Sequence, residues 1–199
     1  MHPLLEQQDK FHTEAKSLLE EVLLPILNAY GKVTVGGSYV YELMSWPDID
    51  LGIQREDVSK EKYIELCTKL LALNEISKFT TTDRVQYERM IKTGQQKGYW
   101  IGLRFVYKET EWNIDMWFMK PEWNADTTPE YSAKLARLDE ETRITILTLK
   151  NELLERGLYG VSKEFQSVDV YNAVLENGAK TVEDIRTYKT SLNASLNQF

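Results

Sequence analysis

The segment Asp48–Ile53 alternates polar or small residues with large apolar ones. Successive side chains of a β-strand point to opposite faces, so this period of two predicts a half-buried strand. One face is apolar, and the other carries Asp48, Asp50 and Gly52. The two carboxylates therefore project from the same face, about 6 to 7 Å apart along the backbone. Such a pair belongs either to a solvated sheet face or to a cation site.

A third aspartate, Asp115, stands in the otherwise apolar and tryptophan-rich segment Glu111–Met119. Aspartate is depleted in strands and costly to bury, so its presence there needs a reason. This segment and Tyr99–Tyr107 form a predicted hairpin around Lys108–Thr110, with a register that places Arg104 opposite Asp115. Arg104 would orient that carboxylate, contact a phosphate, or form only a cross-strand ion pair.

A glycine-rich turn precedes the acid pair. Lys32–Val35 is a predicted β-branched strand that runs into Gly36, Gly37 and Ser38, where helical composition begins. Backbone N–H groups and a hydroxyl at such a junction can bind phosphate oxygens, although glycines after a strand also serve in ordinary turns.

These features together favour metal-assisted phosphoryl or nucleotidyl transfer. Asp48 and Asp50 would hold Mg²⁺ ions that also bind triphosphate oxygens. Asp115 would complete the metal site or accept the proton of the attacking hydroxyl. Gly36, Gly37, Ser38 and Arg104 are the predicted nucleotide-binding residues.

The residues also carry a family resemblance. Gly37-Ser38, nine intervening residues, Asp48-Ile49-Asp50 and a later isolated Asp115 resemble the nucleotidyltransferase superfamily of the DNA polymerase β type. The likeness covers about residues 8 to 120 and includes the small antibiotic and minimal nucleotidyltransferases. It implies that Gly37 and Ser38 hold the triphosphate, that Asp48 and Asp50 bind both metals, and that Asp115 binds the catalytic metal or acts as base.

Other kinds of site do not fit. A calcium loop beginning at Asp48 would place Gly52 where an oxygen-bearing side chain belongs and Ser59 where a bidentate glutamate belongs. No Gly-Lys-Ser/Thr follows the glycines, which excludes a P-loop. Cys67 is the only cysteine, which excludes an internal disulfide and a thiolate metal cluster.

The predicted fold class is α+β, with a small mixed sheet, flanking helices and a helical C-terminal segment. Apolar spacing predicts a helix from Gln8 to Tyr30 that Pro25 kinks or splits, and another from Ser59 to Leu73 with Ser59 as N-cap. Tyr39–Met44 also has helical composition. Trp46-Pro47 must end that element.

The turn-forming segment from Pro121 to Pro129 is the predicted boundary between two parts of the chain. Residues 1–125 would form the catalytic core and residues 126–199 a helical subdomain. Further helices are predicted in that second part, one long helix or helix pair ending at Gly157 and two shorter ones at Val168–Leu175 and Val182–Tyr188.

Charge and composition limit the partners. The net charge is −7, and the sequence has no basic segment that could neutralise phosphates. Because phosphate neutralisation dominates nucleic-acid affinity, the sequence argues against a nucleic-acid partner. No signal peptide or membrane-spanning segment is evident, which predicts a cytoplasmic protein.

The expected activity moves a nucleoside monophosphate from a nucleoside triphosphate to a hydroxyl of a small molecule or a protein and releases pyrophosphate. The alternative is a nucleotidyltransferase-like antitoxin that binds a helical toxin.

Overall fold

The computed structural model describes residues 2–86, 96–124, 129–160 and 163–196. The chain divides into two compact units, one comprising Asp9–Ala136 and the other Met1–Gln8 together with Arg137–Phe199. The boundary predicted between residues 125 and 126 falls in 125–128, outside the described residues, and stays a prediction.

Within the described residues, the first unit contains a mixed five-stranded sheet in the order β1-β2-β5-β4-β3. The pairing between β2 and β5 is parallel, and the other neighbours are antiparallel. The parallel pair lies between β1 and β4, so the two strands that carry the aspartates are interior neighbours. The strands are Lys32–Gly36 (β1), Asp48–Gln54 (β2), Ile76–Asp83 (β3), Tyr99–Tyr107 (β4) and Thr110–Met119 (β5).

One face of this sheet packs against helices. The predicted alternation of β2 is confirmed, since Ile49, Leu51 and Ile53 are buried while the residues between them are half-exposed. The apolar face of β5 is fully buried in the same core. Burial of apolar surface stabilises this packing of sheet on helices. The opposite, polar face of the sheet carries the aspartates. The helices of the unit are Pro3–Leu18 (α1, whose first residues belong to the other unit), Leu24–Leu27 (α2), Gly37–Val40 (α3), Lys60–Leu71 (α4) and Pro129–Leu135 (α5).

The first helix is interrupted as Pro25 predicts. A π-helical turn, Leu19–Leu23, separates α1 from α2, and Pro25 lies in the first turn of α2. Proline lacks an N–H group, and the first turn of a helix is where that loss is tolerated. Leu19, Leu23 and Leu27 stay buried through the interruption.

Two shorter predictions have different outcomes. Ser59 caps α4 as expected, because its Oγ accepts a hydrogen bond from the Lys62 N–H at 3.3 Å. The helix predicted over Tyr39–Met44 is wrong, since α3 ends at Val40 and Glu42 has a left-handed φ of 54°. The Leu43 N–H then donates to the Ser38 carbonyl at 2.9 Å, which closes a turn rather than extending the helix.

The second unit is helical in its described residues. Its helices are Glu140–Glu155 (α6), Ser167–Asn177 (α7) and Val182–Leu196 (α8). Gly157 has a φ of +66° just beyond α6, where the predicted long helical region ends. The predicted α+β class, with a mixed sheet, flanking helices and a helical C-terminal segment, is confirmed.

In the described part of the chain, no helix has both the length and the apolarity needed to cross a bilayer.

Candidate active site

The three aspartates lie on the same face of the sheet. Asp50 of β2 is the Cα partner of Asp115 on β5 in the parallel register, and Asp48 is the partner of Asn113. Side chains of register partners point to the same face, and residues two apart on a strand share a face. All three aspartates are half-buried, on the face opposite the apolar core. The tertiary fold therefore brings together acids that the sequence separates widely.

Asn113 links two of these acids. Its side-chain nitrogen donates to Asp48 Oδ1 at 2.6 Å and to Asp115 Oδ2 at 2.9 Å. The strand pattern places Asn113 on the acid-bearing face, but nothing in the sequence indicates this contact with Asp48. The parallel register is what creates it.

The glycine turn packs directly against Asp50. Gly36 ends β1 and is the Cα partner of Asp50, and Gly37 follows with a φ of +62°. A β-carbon at position 37 would lie 1.9 Å from Asp50 Oδ2. Position 37 must therefore be glycine for two reasons, its left-handed backbone and its contact with the carboxylate. Ser38 follows as a buried residue in α3.

The predicted position of Arg104 is wrong by two residues. Arg104 is the Cα partner of Asn113, and Gly102 is the partner of Asp115. The hairpin turns through two residues, Lys108 and Glu109, with left-handed φ values of 47° and 71°, and Thr110 pairs with Tyr107, so the predicted loop Lys108–Thr110 does not form. Such two-residue turns match the twist of the flanking strands. The shift is even, so Arg104 stays on the acid-bearing face, where it is exposed.

Two tryptophans lie next to Asp115 on the acid-bearing face. Trp100 and Trp117 are cross-strand partners, and they stand two residues along their strands from Gly102 and Asp115, in the direction away from Arg104. The benzo ring of Trp100 lies over Gly102, where a β-carbon would be 2.7 Å from the ring and 3.4 Å from Asp115 Oδ1. The Arg84 guanidinium lies 5.2 Å from the Trp117 ring centroid. An aromatic and cationic surface therefore borders the acids, and sequence reasoning did not assign it a role.

The donor set fits Mg²⁺ held jointly with a ligand. Among the described residues, no three His, Cys, Asp or Glu side chains are gathered closely enough to hold a metal by themselves. Magnesium takes hard oxygen ligands and is commonly held by one or two carboxylates together with substrate phosphates. Asp48, Asp50 and Asp115 supply such oxygens on two adjacent strands. A nucleoside triphosphate bound at the same face would complete the coordination.

The mixed sheet and its helices form a fold that is also found in proteins of known structure. No protein-family model matches the chain, and no curated protein sequence matches it. Solved structures do match it. The complex of the poly(A) polymerase GLD-2 with GLD-3 is 14% identical with a TM-score of 0.54, over 88% of this chain and 58% of that one.

Two further structures agree. The Cid1 poly(U) polymerase with Mg and 3′-dATP bound is 15% identical, with a TM-score of 0.58, over 84% of this chain and 49% of that one. A cytoplasmic RNA terminal U-transferase is also 15% identical, with a TM-score of 0.54, over 84% of this chain and 48% of that one. The chain thus spans about half the length of these proteins, and at such low identity the likeness establishes the fold. Their RNA-related names give no support to the expectation that nucleic acid is not a partner.

Proposed function

We propose that this chain is a Mg²⁺-dependent nucleotidyltransferase. It moves a nucleoside monophosphate from a nucleoside triphosphate to a hydroxyl of a small molecule or a protein and releases pyrophosphate. The observation that carries the proposal is the alignment of Asp50 with Asp115 across the parallel pair of strands, with Asp48 on the same face. The shared fold with known polymerases and a transferase supports the same reaction class.

The nucleotide would bind across the glycine turn and the acids. The backbone N–H groups of Gly36 and Gly37 and the hydroxyl of Ser38 are assigned to the triphosphate. Arg104 is assigned to a phosphate oxygen rather than to orienting Asp115, because the observed register pairs it with Asn113. Asp48 and Asp50 are assigned to both Mg²⁺ ions, and Asp115 to one of them or to the acceptor proton.

In the proposed reaction the acceptor oxygen attacks the α-phosphorus, and a new phosphorus–oxygen bond forms. The bond from the α-phosphorus to the oxygen bridging it to the β-phosphate breaks, and pyrophosphate leaves with that electron pair. The proton of the acceptor hydroxyl passes to the Asp115 carboxylate or through it to water. Bound Mg²⁺ would neutralise charge on the phosphates. The chain itself contributes mainly positioning, which is the largest demand of this chemistry.

A second acceptor class, the 3′-hydroxyl of single-stranded RNA, is favoured by the surface beside Asp115. Trp100 and Trp117 offer rings on which nucleobases can stack, and base–aromatic stacking contributes about 1–3 kcal/mol per base. Arg84 and Arg104 lie on the same face of the sheet as these rings, and Lys78 is the register partner of Arg104. These three side chains add positive charge suited to a phosphate backbone. The net charge of −7 opposes tight RNA binding, so small molecules stay the first candidate.

The test is label transfer. The protein is incubated with Mg²⁺ and each of four α-labelled nucleoside triphosphates, with a metabolite and aminoglycoside panel or with RNA oligonucleotides ending in a 3′-hydroxyl or a 3′-phosphate. Label appearing on a small molecule supports the first acceptor class. Label appearing only on RNA with a free 3′-hydroxyl supports the second.

Matched variants make the result specific. Asp50→Asn should abolish transfer while the circular dichroism spectrum stays unchanged. Asp57→Asn is the control, because Asp57 follows β2 and is bound by Arg55 and Lys62 outside the acid face. Undiminished transfer by Asp50→Asn would contradict the proposal. A stoichiometric helical protein partner captured equally by the wild type and Asp48→Asn, with no transfer, would favour the antitoxin alternative.

A further inference from the structure

Asn113 stands between two carboxylates that carry like charge. Its Nδ2 lies 2.6 Å from Asp48 Oδ1 and 2.9 Å from Asp115 Oδ2. Carboxylate oxygens only accept hydrogen bonds, so the NH₂ side of the amide, with its two N–H donors, must face them. One side chain can therefore satisfy both acids at once.

The strand register makes this bridge a fixed part of the fold. Asn113 is the Cα partner of Asp48 in the parallel pair, and it stands two residues before Asp115 on the same face of β5. A backbone hydrogen bond from the Asn113 N–H to the Pro47 carbonyl, at 3.0 Å, helps to hold this residue in the sheet. The sheet thus fixes the backbone from which the amide reaches both acids.

The bridge has two physical consequences. The bridge uses one carboxylate oxygen of each acid, Asp48 Oδ1 and Asp115 Oδ2, and does not involve the other oxygen of either. Hydrogen bonds from a shared donor also offset the repulsion between the two carboxylates, which is stronger at a partly desolvated site than in water. Groups that orient metal-binding side chains from outside the coordination shell commonly contribute about 10- to 100-fold in metal affinity or activity.

We propose that Asn113 is a positioning residue that holds Asp48 and Asp115 in a metal-accepting arrangement before cation and nucleotide bind. The proposal rests on the proposed function, since it takes these carboxylates as cation ligands. Asp50 is positioned differently, by its contact with Gly37. Two separate contacts therefore position the three carboxylates.

The test measures cation binding without turnover. Free Mn²⁺ is followed by electron paramagnetic resonance as it is titrated into the full chain without nucleotide. Asn113→Leu keeps a similar size but removes both donors, and it should weaken Mn²⁺ binding about tenfold or more. Asn113→Gln keeps the NH₂ group on a longer side chain and should restore part of the loss. In transfer assays the Mg²⁺ concentration for half-maximal activity should rise in parallel, with little change in the KM for the acceptor.

Thr110→Val is the matched control. Thr110 is also on β5, and its hydroxyl donates to a carboxylate outside the acid face, Glu14 Oε1, at 3.0 Å. This variant should bind Mn²⁺ as the wild type does. Unchanged Mn²⁺ affinity in a folded Asn113→Leu variant would overturn the positioning role while leaving the proposed function intact.

Two other outcomes are equally informative. Tighter Mn²⁺ binding by Asn113→Leu would mean that the amide competes with the cation, and it would also overturn the positioning role. A wild type that neither binds Mn²⁺ nor transfers nucleotide would remove the proposed function, and this inference with it.

Discussion

Gly37 lies so close to Asp50 that a β-carbon on residue 37 would stand 1.9 Å from Asp50 Oδ2. The backbone of Gly37 is also left-handed, with a φ of +62°. The turn and the acid therefore fit each other only when residue 37 has no side chain. The contact connects the predicted phosphate-binding turn to the predicted metal-binding pair.

Gly37→Ala should abolish transfer, because the new methyl group displaces the Asp50 carboxylate. A left-handed alanine destabilises the fold by more than about 1 kcal/mol. Gly157→Ala is the control, since Gly157 has a similar φ of +66° but nothing within 4 Å of an added β-carbon. Gly157→Ala should lose stability in urea denaturation from the left-handed backbone alone, Gly37→Ala should lose at least as much, and only Gly37→Ala should lose activity. Normal transfer by folded Gly37→Ala would contradict the role of this contact.

Asp115→Asn separates chemistry from nucleotide binding. Loss of a positioned proton acceptor costs about 10²- to 10⁴-fold in rate. We therefore expect kcat to fall at least about 100-fold while the nucleotide dissociation constant, measured by calorimetry with a non-hydrolysable analogue and Mg²⁺, changes far less. Equal losses in both quantities would make Asp115 a binding residue only.

Arg104→Met tests the phosphate contact assigned to an exposed side chain. A hydrogen bond to a charged group contributes about 1.5–3 kcal/mol, so the KM for the nucleoside triphosphate should rise about tenfold or more. Substitution of an exposed side chain changes the free energy of unfolding by about 0.5 kcal/mol or less. An unchanged KM would leave Arg104 as a surface residue of β4.

Trp100→Ala tests the aromatic surface beside Asp115. If RNA is the acceptor, losing one stacked base raises the oligonucleotide KM about fivefold or more. Gly102→Ala probes the same surface, because its β-carbon would lie 2.7 Å from the Trp100 ring and push that ring aside. Trp100→Phe should keep most of the activity. Equal KM values for the wild type and Trp100→Ala on RNA would exclude stacking on this ring.

Asp57 provides a prediction about pH and stability. The hydrogen bond from Arg55, and then that from Lys62, holds the pKa of Asp57 well below its usual range. A carboxylate of this kind stabilises the folded state above its unfolded-state pKa of about 3.9, and the contribution is lost as pH falls through the lower folded-state pKa. The difference in free energy of unfolding between wild type and Asp57→Asn should therefore be constant from pH 7 to about pH 5 and shrink below about pH 4. Urea denaturation across this range measures it, and a difference that grows in acid would contradict the assignment.

Much of the local structure follows from the sequence. The alternation in β2 predicted its bounds to within a residue and the shared face of Asp48 and Asp50. Ser59 and Pro25 marked a helix start and a helix interruption, because capping and the missing N–H of proline act within one turn. The failed helix over Tyr39–Met44 shows the limit of composition, since a local turn with a left-handed Glu42 ended α3 early.

The hairpin shows where prediction from sequence lost accuracy. The strands were placed correctly, but their register depended on the turn, and the turn depended on left-handed backbone angles at Lys108 and Glu109. Neither residue is one that favours such angles. Arg104 consequently moved two positions from its predicted partner while keeping its face.

The sequence by itself determined which residues are acids, which strand each lies on and which face each occupies, because these properties depend only on residue type and on backbone periodicity. Only the tertiary structure decided that β2 and β5 are parallel neighbours, that Asp50 aligns with Asp115, and that Asn113 bridges Asp48 and Asp115. Strand order and register between distant segments are set by packing of the whole core and by turn geometry, and neither is encoded in the residues of one strand.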